Sequence, residues 1–168
     1  KDFEKNFNNQ LKKVVSLQSV KLISNEIFDE EITFESKFSI SESLQKVGSL
    51  KITEIPFIDN VYTRDIIATE TRKYDIQYID YESSNQYDSE VILNIPSDKS
   101  FSEIPENKTF NFQNHKYSIT YQLINKNSLK VNRKVIIPWD NISTTQYVEF
   151  KKFVEKVVET EEQIVGFK

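Results

Sequence analysis

A period of two in the apolar residues, from about residue 32 to residue 137, is the feature that most constrains the fold. In the segment EITFESKFSI, Ile32, Phe34 and Phe38 alternate with polar residues, as a strand with one buried and one solvated face requires. The same alternation returns further along the chain, at 50–52, 91–95, 117–123 and 129–137. Glu54 breaks the parity after the first of these runs, and Arg133 interrupts the last. The pattern predicts sheets rather than a helical bundle.

Turn signals separate these runs. Polar clusters lie at 83–86, 96–99, 113–116 and 125–128, and such residues favour turns. Short connections indicate that neighbouring strands are antiparallel, and no helical segment intervenes to make a parallel sheet. We therefore predict an all-β fold, an antiparallel β-sandwich of about eight or nine strands.

After Pro138 the apolar period changes to that of a helix, which predicts a C-terminal helix at about 143–160 packed on the sandwich. Ser143 and Gln146 have the spacing of a capping box. The apolar residues that follow form one stripe, at Tyr147, Phe150, Val154, Val157 and Val158. A stripe of this size requires a sheet face or edge to cover it, and the segment QIVGF at 163–167 predicts a last short strand.

The domain organisation follows from these elements. Residues 1–14 predict a leading helix or a linker, because Phe3, Phe7 and Leu11 lie at helical spacing. Residues 15–168 are predicted to form one β-sandwich domain, for which a chain of 168 residues is long enough.

Composition excludes several kinds of site. The chain has only two glycines and no cysteine, which removes glycine-rich phosphate loops, thiol nucleophiles and disulfides. Its net charge is -4 and no basic tract occurs, so nucleic acid is not the expected partner. No apolar run reaches the length of about 18 residues that a membrane span needs. Any signal peptide is expected upstream of Lys1.

Residues suited to catalysis or metal binding are few. His115 is the only histidine, which rules out a two-histidine metal site, and its position in FQNHKY predicts a solvent-exposed turn. Asp75, Asp80, Glu82 and Asp88 carry oxygens that suit calcium, but they lack the spacing and glycine of an EF-hand. Charged residues on the solvated side of a strand explain them equally well. We expect no metal, no cofactor and no enzymatic activity.

The segment RKYDIQYIDY at 72–81 leaves two interpretations open. Tyr74 and Tyr78 share one face of a predicted strand, which favours core packing over an exposed platform. Trp139 follows the last long strand and is likewise expected to close the end of the core. The alternative is a glycan- or peptide-binding module whose exposed rings are Tyr78, Tyr81, Tyr87 and Trp139.

Five segments, in this order, carry a resemblance to a known family: SLKITEIPF, ATETRKYDIQY, YDSEVILNIPSDKSFSEIPENKTFNF, HKYSITYQLINKNSLKVNRKVIIPWD and QYVEFKKFVEKVVETEEQIV. From about residue 47 to its end, the chain resembles the C-terminal β-sandwich that follows the transglutaminase-like domain in envelope proteins of Bacteroidetes. The positions that match are Arg72, Tyr74, Ile76, Ile95, Pro96, Ile104, Pro105, Leu129, Val131, Tyr147 and Phe150.

The resemblance implies a non-catalytic accessory domain. Its partner would be the neighbouring transglutaminase-like domain of the same parent protein, in the periplasm or cell envelope, with envelope glycan or peptide as a further partner. The family's catalytic chemistry would require a cysteine, and none occurs in this chain. Arg72 and Tyr147 are therefore expected to be structural. We expect Arg72 to anchor a strand through a carboxylate or backbone carbonyls, so that Arg72→Ala lowers the melting temperature.

Overall fold

The structure is a computed structural model that describes residues 15–24, 32–40, 44–58, 60–78 and 85–168. The chain divides into two compact units, Lys1–Leu44 and Gln45–Lys168. The predicted boundary near residue 15 lies earlier than this division. The predicted leading helix or linker at 1–14 lies outside the described residues.

The described residues are mostly β, with antiparallel sheets and one C-terminal helix, which confirms the predicted fold class. The helix, α1, spans Tyr147–Glu161, and a 3-10 turn spans Arg64–Ile67. In chain order, the strands are β1 (Val15–Ser24), β2 (Thr33–Ile40), β3 (Gln45–Val47), β4 (Leu50–Glu54), β5 (Ile76–Tyr78), β6 (Asn85–Asn94), β7 (Phe101–Glu103), β8 (Lys108–Phe112), β9 (His115–Asn125), β10 (Ser128–Ile137), β11 (Asp140–Ile142) and β12 (Ile164–Phe167).

In the first unit, β1 and β2 pair antiparallel into what we call the β1–β2 ribbon. The register places Leu17 opposite Phe38 and Leu22 opposite Phe34. Between these pairs the register shifts at Gln18, and an extra residue in one strand changes which face the following side chains occupy. The shift keeps Val20 and Leu22 on the same face as Leu17 although the spacing of these residues in the sequence is irregular.

The larger sheet of the second unit has the order β6-β10-β9-β8, with consecutive partners antiparallel. Its inner face carries the alternating apolar residues that predicted these strands. Tyr117, Ile119, Leu129, Val131 and Val135 are all fully buried. Arg133 belongs to the same face and leaves β10 continuous, so it does not break the strand as its polarity suggested.

The second sheet has the order β3-β4-β12-β7. β12 therefore lies between β4 and β7, two strands that precede it by many residues in the sequence. β4 ends at Glu54, where the sequence pattern loses its parity. The predicted strand at 163–167 is confirmed as β12. Gly166 lies in it because a Cβ at this position would come within 2.9 Å of Leu50 Cδ2 and 3.0 Å of Glu103 Cβ.

The predicted helix is confirmed, with its first residue at Tyr147. The turn before it carries the expected capping box, because the backbone N–H of Ser143 donates to Gln146 Oε1 at 2.9 Å and that of Gln146 donates to Ser143 Oγ at 3.3 Å. The apolar stripe is buried together with Phe153 and Thr160. In the part of the chain that the structure describes, no helix is both long and apolar enough to cross a membrane.

Candidate functional site

His115 is fully buried, so the prediction of an exposed turn was wrong. The turn is shorter than its polar sequence suggests, since only residues 113 and 114 lie between the paired residues Phe112 and His115. Gln113 has a φ of 52°, a left-handed conformation that suits a two-residue hairpin turn. His115 is therefore the first residue of β9 and shares the inner face of the sheet with Tyr117.

Two oxygen-bearing side chains flank the imidazole of His115. The Tyr62 hydroxyl is hydrogen-bonded to Nδ1 at 2.8 Å, and Asp140 Oδ2 lies 4.0 Å from Nε2. Among the described residues, Nε2 has no hydrogen-bond partner. If Tyr62 donates its proton to Nδ1, the imidazole proton is on Nε2, the nitrogen nearest Asp140.

Aromatic rings surround this group. The ring centroids of Tyr78, Phe112 and Phe150 lie 5.4, 5.9 and 5.6 Å from that of His115. The Phe153 ring meets that of Tyr62 edge to face at 5.4 Å. Edge-to-face contacts at these distances are favourable for ring packing. The rings come from the segment before β5, from β5 itself, from β8 and from α1, so the cluster joins elements that are distant in sequence.

Burial determines the protonation of the cluster. Desolvation lowers the pKa of His115 from 6.5 to about 4, although the Asp140 carboxylate favours the charged form. Desolvation, followed by the neighbouring Tyr78, raises the pKa of Tyr62 well above its ordinary value. At neutral pH the imidazole is therefore uncharged and the Tyr62 hydroxyl keeps its proton. With His115 fully buried, these groups can tether the Tyr62 segment to the sheet but offer no surface to a substrate.

A second polar cluster lies on the same inner face, around Arg133. The guanidinium donates from Nη1 to Glu161 Oε1 at 3.1 Å and from Nη2 to Ser89 Oγ at 2.9 Å. It also lies over the Phe57 ring, 4.3 Å from its centroid. Burial, followed by the Glu161 carboxylate, raises the pKa of Tyr121 to about 12. Through its hydrogen bond to Glu161, Arg133 links the central strand β10 to the C-terminal end of α1. The interruption of an apolar run by one arginine was the sequence signal for this cluster.

The predicted aromatic binding residues differ in their exposure. Tyr78 is half-buried in the His115 cluster, and Tyr87 is half-buried on β6, where its hydroxyl accepts from Asn85 Nδ2 at 3.0 Å. Trp139 is 60% exposed, so its predicted role as a plug of the core was wrong. Tyr74 is 81% exposed and precedes β5, which contradicts the prediction that it packs in the core. Tyr81 lies outside the described residues.

Arg72 and Tyr147 meet near the start of α1. The Arg72 guanidinium lies over the Tyr147 ring at 5.6 Å, and Arg72 Nη1 donates to the backbone carbonyl of Ile66 at 3.3 Å. Tyr147 is 1% exposed, and its hydroxyl donates to the Thr69 carbonyl at 2.7 Å. These contacts hold the 3-10 turn region against the helix.

The acidic residues considered as calcium ligands have other contacts. Asp75 accepts from Asn141 Nδ2 and from the backbone N–H of Thr144, both at 3.0 Å. Asp88 Oδ2 accepts from Gln86 Nε2 at 2.7 Å and lies 3.8 Å from Lys134 Nζ. Asp80 and Glu82 lie outside the described residues. Within the described ranges, no group of three or more metal-ligating side chains is found.

The β1–β2 ribbon presents an apolar face. Its register places one set of side chains on this face, comprising Leu17, Val20, Leu22, Phe34, Ser36, Phe38 and Ile40. Among the paired residues, those of the opposite face are all polar, comprising Ser16, Ser19, Lys21, Ser24, Thr33, Glu35, Lys37 and Ser39. Ile23, which is 51% exposed, lies at the second register shift and belongs to neither set. Val20, Leu22 and Phe34 are between 43% and 50% exposed. Exposed apolar patches of this kind are typical of interaction surfaces.

A groove of about 290 Å³ runs between β8 and α1. The residues that line it are Thr109, Phe110, Asn111, Phe112, Glu149, Lys152, Phe153 and Lys156. None of the predicted binding residues belongs to it. The signal that could have found it is the helical spacing of Glu149, Lys152 and Lys156, which places all three on one face of the helix.

Comparison with known proteins gives a family but no characterised relative. A family model described as a domain of unknown function, DUF3858, matches residues 48–167. No curated protein matches the chain, and no solved structure does. The matched residues begin within the second compact unit, so the β1–β2 ribbon lies outside the match.

Proposed function

The chain belongs to the DUF3858 family of domains of unknown function, and we propose that it is a non-catalytic accessory domain that binds a neighbouring domain of the same parent protein. The parent is a transglutaminase-like protein of the bacterial envelope, and the domain works in the periplasm or at the cell envelope. The support for this parent and this location is the resemblance of the segments from SLKITEIPF to QYVEFKKFVEKVVETEEQIV.

One observation carries the proposal: the β1–β2 ribbon has one apolar and one polar face. A ribbon of two strands is at best marginally stable in water, and it becomes stable when its apolar face packs on another element. Three apolar side chains of that face, Val20, Leu22 and Phe34, keep about half of their surface exposed. Inter-domain interfaces typically bury roughly 600 to 1,500 Å², and a ribbon with seven described side chains on one face suits the lower part of that range.

The chemistry of the described residues also favours a non-catalytic role. The one histidine is enclosed by aromatic rings. The buried Arg133 and Glu161 neutralise each other across an inner face of the sheet. Both clusters stabilise packing between elements, which is what an accessory domain requires to remain rigid beside a partner.

The test uses the full-length parent protein and two double variants of the ribbon. Leu22→Glu with Phe34→Glu places charges on the apolar face, and Lys21→Glu with Glu35→Lys alters the polar face by a cross-strand pair of the same register. We expect the first variant to lose hydrogen-exchange protection in the ribbon and to separate the unfolding transitions of the two domains. The second variant should behave as the wild type. Equal behaviour of the two variants would refute the docking role.

A glycan-binding role keeps one supporting observation, which is the exposed Trp139. It is the only tryptophan in the chain, so intrinsic fluorescence reports on this position alone. A saturable blue shift on titration with peptidoglycan fragments, lost in Trp139→Ala, would support this second role. An emission maximum that stays constant at millimolar fragment would exclude stacking on Trp139.

A further inference from the structure

We propose that the groove between β8 and α1 binds an extended peptide that carries acidic side chains at alternate positions. The peptide would add to the sheet as a fifth strand beside β8. This site is separate from the β1–β2 ribbon, so it can fail while the proposed docking role holds, and the reverse is also true.

β8 is an edge strand of the larger sheet. This strand is last in the order β6-β10-β9-β8, and among the described residues it pairs with β9 alone. The two-residue turn makes Phe112 and His115 a hydrogen-bonded pair, and in antiparallel strands such pairs alternate with non-hydrogen-bonded ones. The backbone groups of Thr109 and Asn111 therefore point away from β9. They are available to an added strand.

The groove lies beside β8. Four consecutive residues of β8, from Thr109 to Phe112, line it. Successive side chains of a strand point to opposite faces of the sheet, so a groove lined by all four must run along the strand edge. Three aromatic side chains line its inner side, where Phe110 and Phe112 are half-buried and Phe153 is 4% exposed. The volume of about 290 Å³ accepts the side chains that an added strand would turn toward the core.

The side chains that α1 contributes to the groove carry a net positive charge. The helix contributes Lys152 and Lys156 against one acidic residue, Glu149, which makes the wall locally basic in a chain whose net charge is -4. The 2.7 Å pair between Lys152 and Glu149 is exposed on both sides, and such pairs contribute only a few tenths of a kcal/mol. A ligand carboxylate can therefore displace Glu149.

The spacing of Lys152 and Lys156 favours a peptide with an acidic side chain at every second residue. Residues four apart on a helix have Cβ atoms roughly 5 to 6 Å apart, and residues two apart on a strand are separated by roughly 6.6 to 6.8 Å. Acidic side chains at every second position of a strand therefore match Lys152 and Lys156 in both charge and spacing. A strand with basic residues at those positions would be repelled.

The experiment titrates the isotope-labelled chain with two blocked octapeptides, one alternating valine with glutamate and the other alternating valine with lysine. We expect the glutamate peptide to shift the amide signals of Thr109, Asn111, Lys152 and Lys156. The lysine peptide should leave them unchanged. Shifts centred elsewhere, no shift at millimolar peptide, or equal responses to the two peptides would each overturn the proposal.

Two variants separate the charge from the backbone contribution. Lys152→Glu with Lys156→Glu should weaken binding by at least about tenfold, because two attractive contacts become repulsive. Asn111→Pro should abolish binding, because proline removes a free-edge N–H and is tolerated on edge strands. Lys126→Glu, in the β9–β10 turn, is the charge control and should bind as the wild type. Unweakened binding by the double lysine variant would overturn the proposal even if Asn111→Pro failed to fold.

Discussion

His115 and Arg133 both place an ionisable side chain on the buried face of the larger sheet. Their partners differ in kind. His115 has a neutral hydroxyl at hydrogen-bond distance and a carboxylate at 4.0 Å, whereas Arg133 has a carboxylate at 3.1 Å. Because an isolated buried charge is costly and a paired one is tolerated, burial favours the neutral form of His115, whereas the guanidinium of Arg133 is compensated by a carboxylate.

The free energy of unfolding should depend on pH through His115. Since the folded-state pKa of His115 is lowered from 6.5 to about 4, the unfolded chain binds the proton first as pH falls. The stability that neutral His115 provides is fully present above pH 6.5 and is lost as pH falls towards 4. The loss is at most about 3 kcal/mol, because one unit of pKa corresponds to about 1.4 kcal/mol.

Urea unfolding between pH 7.5 and pH 4 measures this loss. The matched variant is His115→Phe combined with Tyr62→Phe, which removes the titrating group and also the hydroxyl that would otherwise lose its partner. The unfolding free energy of the wild type, taken relative to that of the variant, should fall steadily below pH 6.5. A difference independent of pH would show that His115 does not titrate in this range.

At the scale of elements, β12 depends on one small residue. A side chain at Gly166 would meet Leu50 and Glu103, so we predict that Gly166→Val destabilises the chain by about 1 to 3 kcal/mol through overpacking. Leu50→Ala should relieve part of this cost in the double variant, since Leu50 Cδ2 is the nearest atom. The measurement is a double-mutant cycle by urea unfolding.

Gly48→Ala supplies the comparison for that cycle. Gly48 has a φ of 63°, and a Cβ at this position would meet nothing within 4 Å. Its substitution therefore costs backbone strain without a clash against the Leu50 side chain, and it should couple to Leu50→Ala less strongly than Gly166→Val does. Strict additivity of Gly166→Val and Leu50→Ala would mean that contact with Leu50 is not the reason for the glycine.

The helix and the long strands β2, β6, β9 and β10 could be predicted because one sheet face or one helix stripe is buried, which imprints a period on the sequence. β1 was not predicted, because its register shifts make the spacing of its apolar residues irregular. β3, β5, β7 and β11 have three residues each and are too short to show a period. The exposure of Trp139 and the burial of His115 were missed for a related reason. Both lie at strand ends, where the length of a turn, and not local polarity, decides which way a side chain points.

For the whole molecule, we predict that residues 45–168 fold without the first unit. This segment forms one compact unit and contains the entire family match. In differential scanning calorimetry, it should unfold in one cooperative transition within a few degrees of the 168-residue chain. A fragment of residues 71–168 is the control and should lack the transition, because it loses β3, β4 and Tyr62. Failure of 45–168 to fold would mean that the ribbon completes the core.

The position of β12 also affects the order of events during biosynthesis. Its partners, β4 and β7, leave the ribosome roughly 110 and 60 residues before residues 164–167 exist. Until translation reaches those residues, two strand edges that will later be joined stay open to aggregation with other nascent chains. A cell making this protein therefore benefits from a chaperone that shields the growing polypeptide until residues 164–167 emerge.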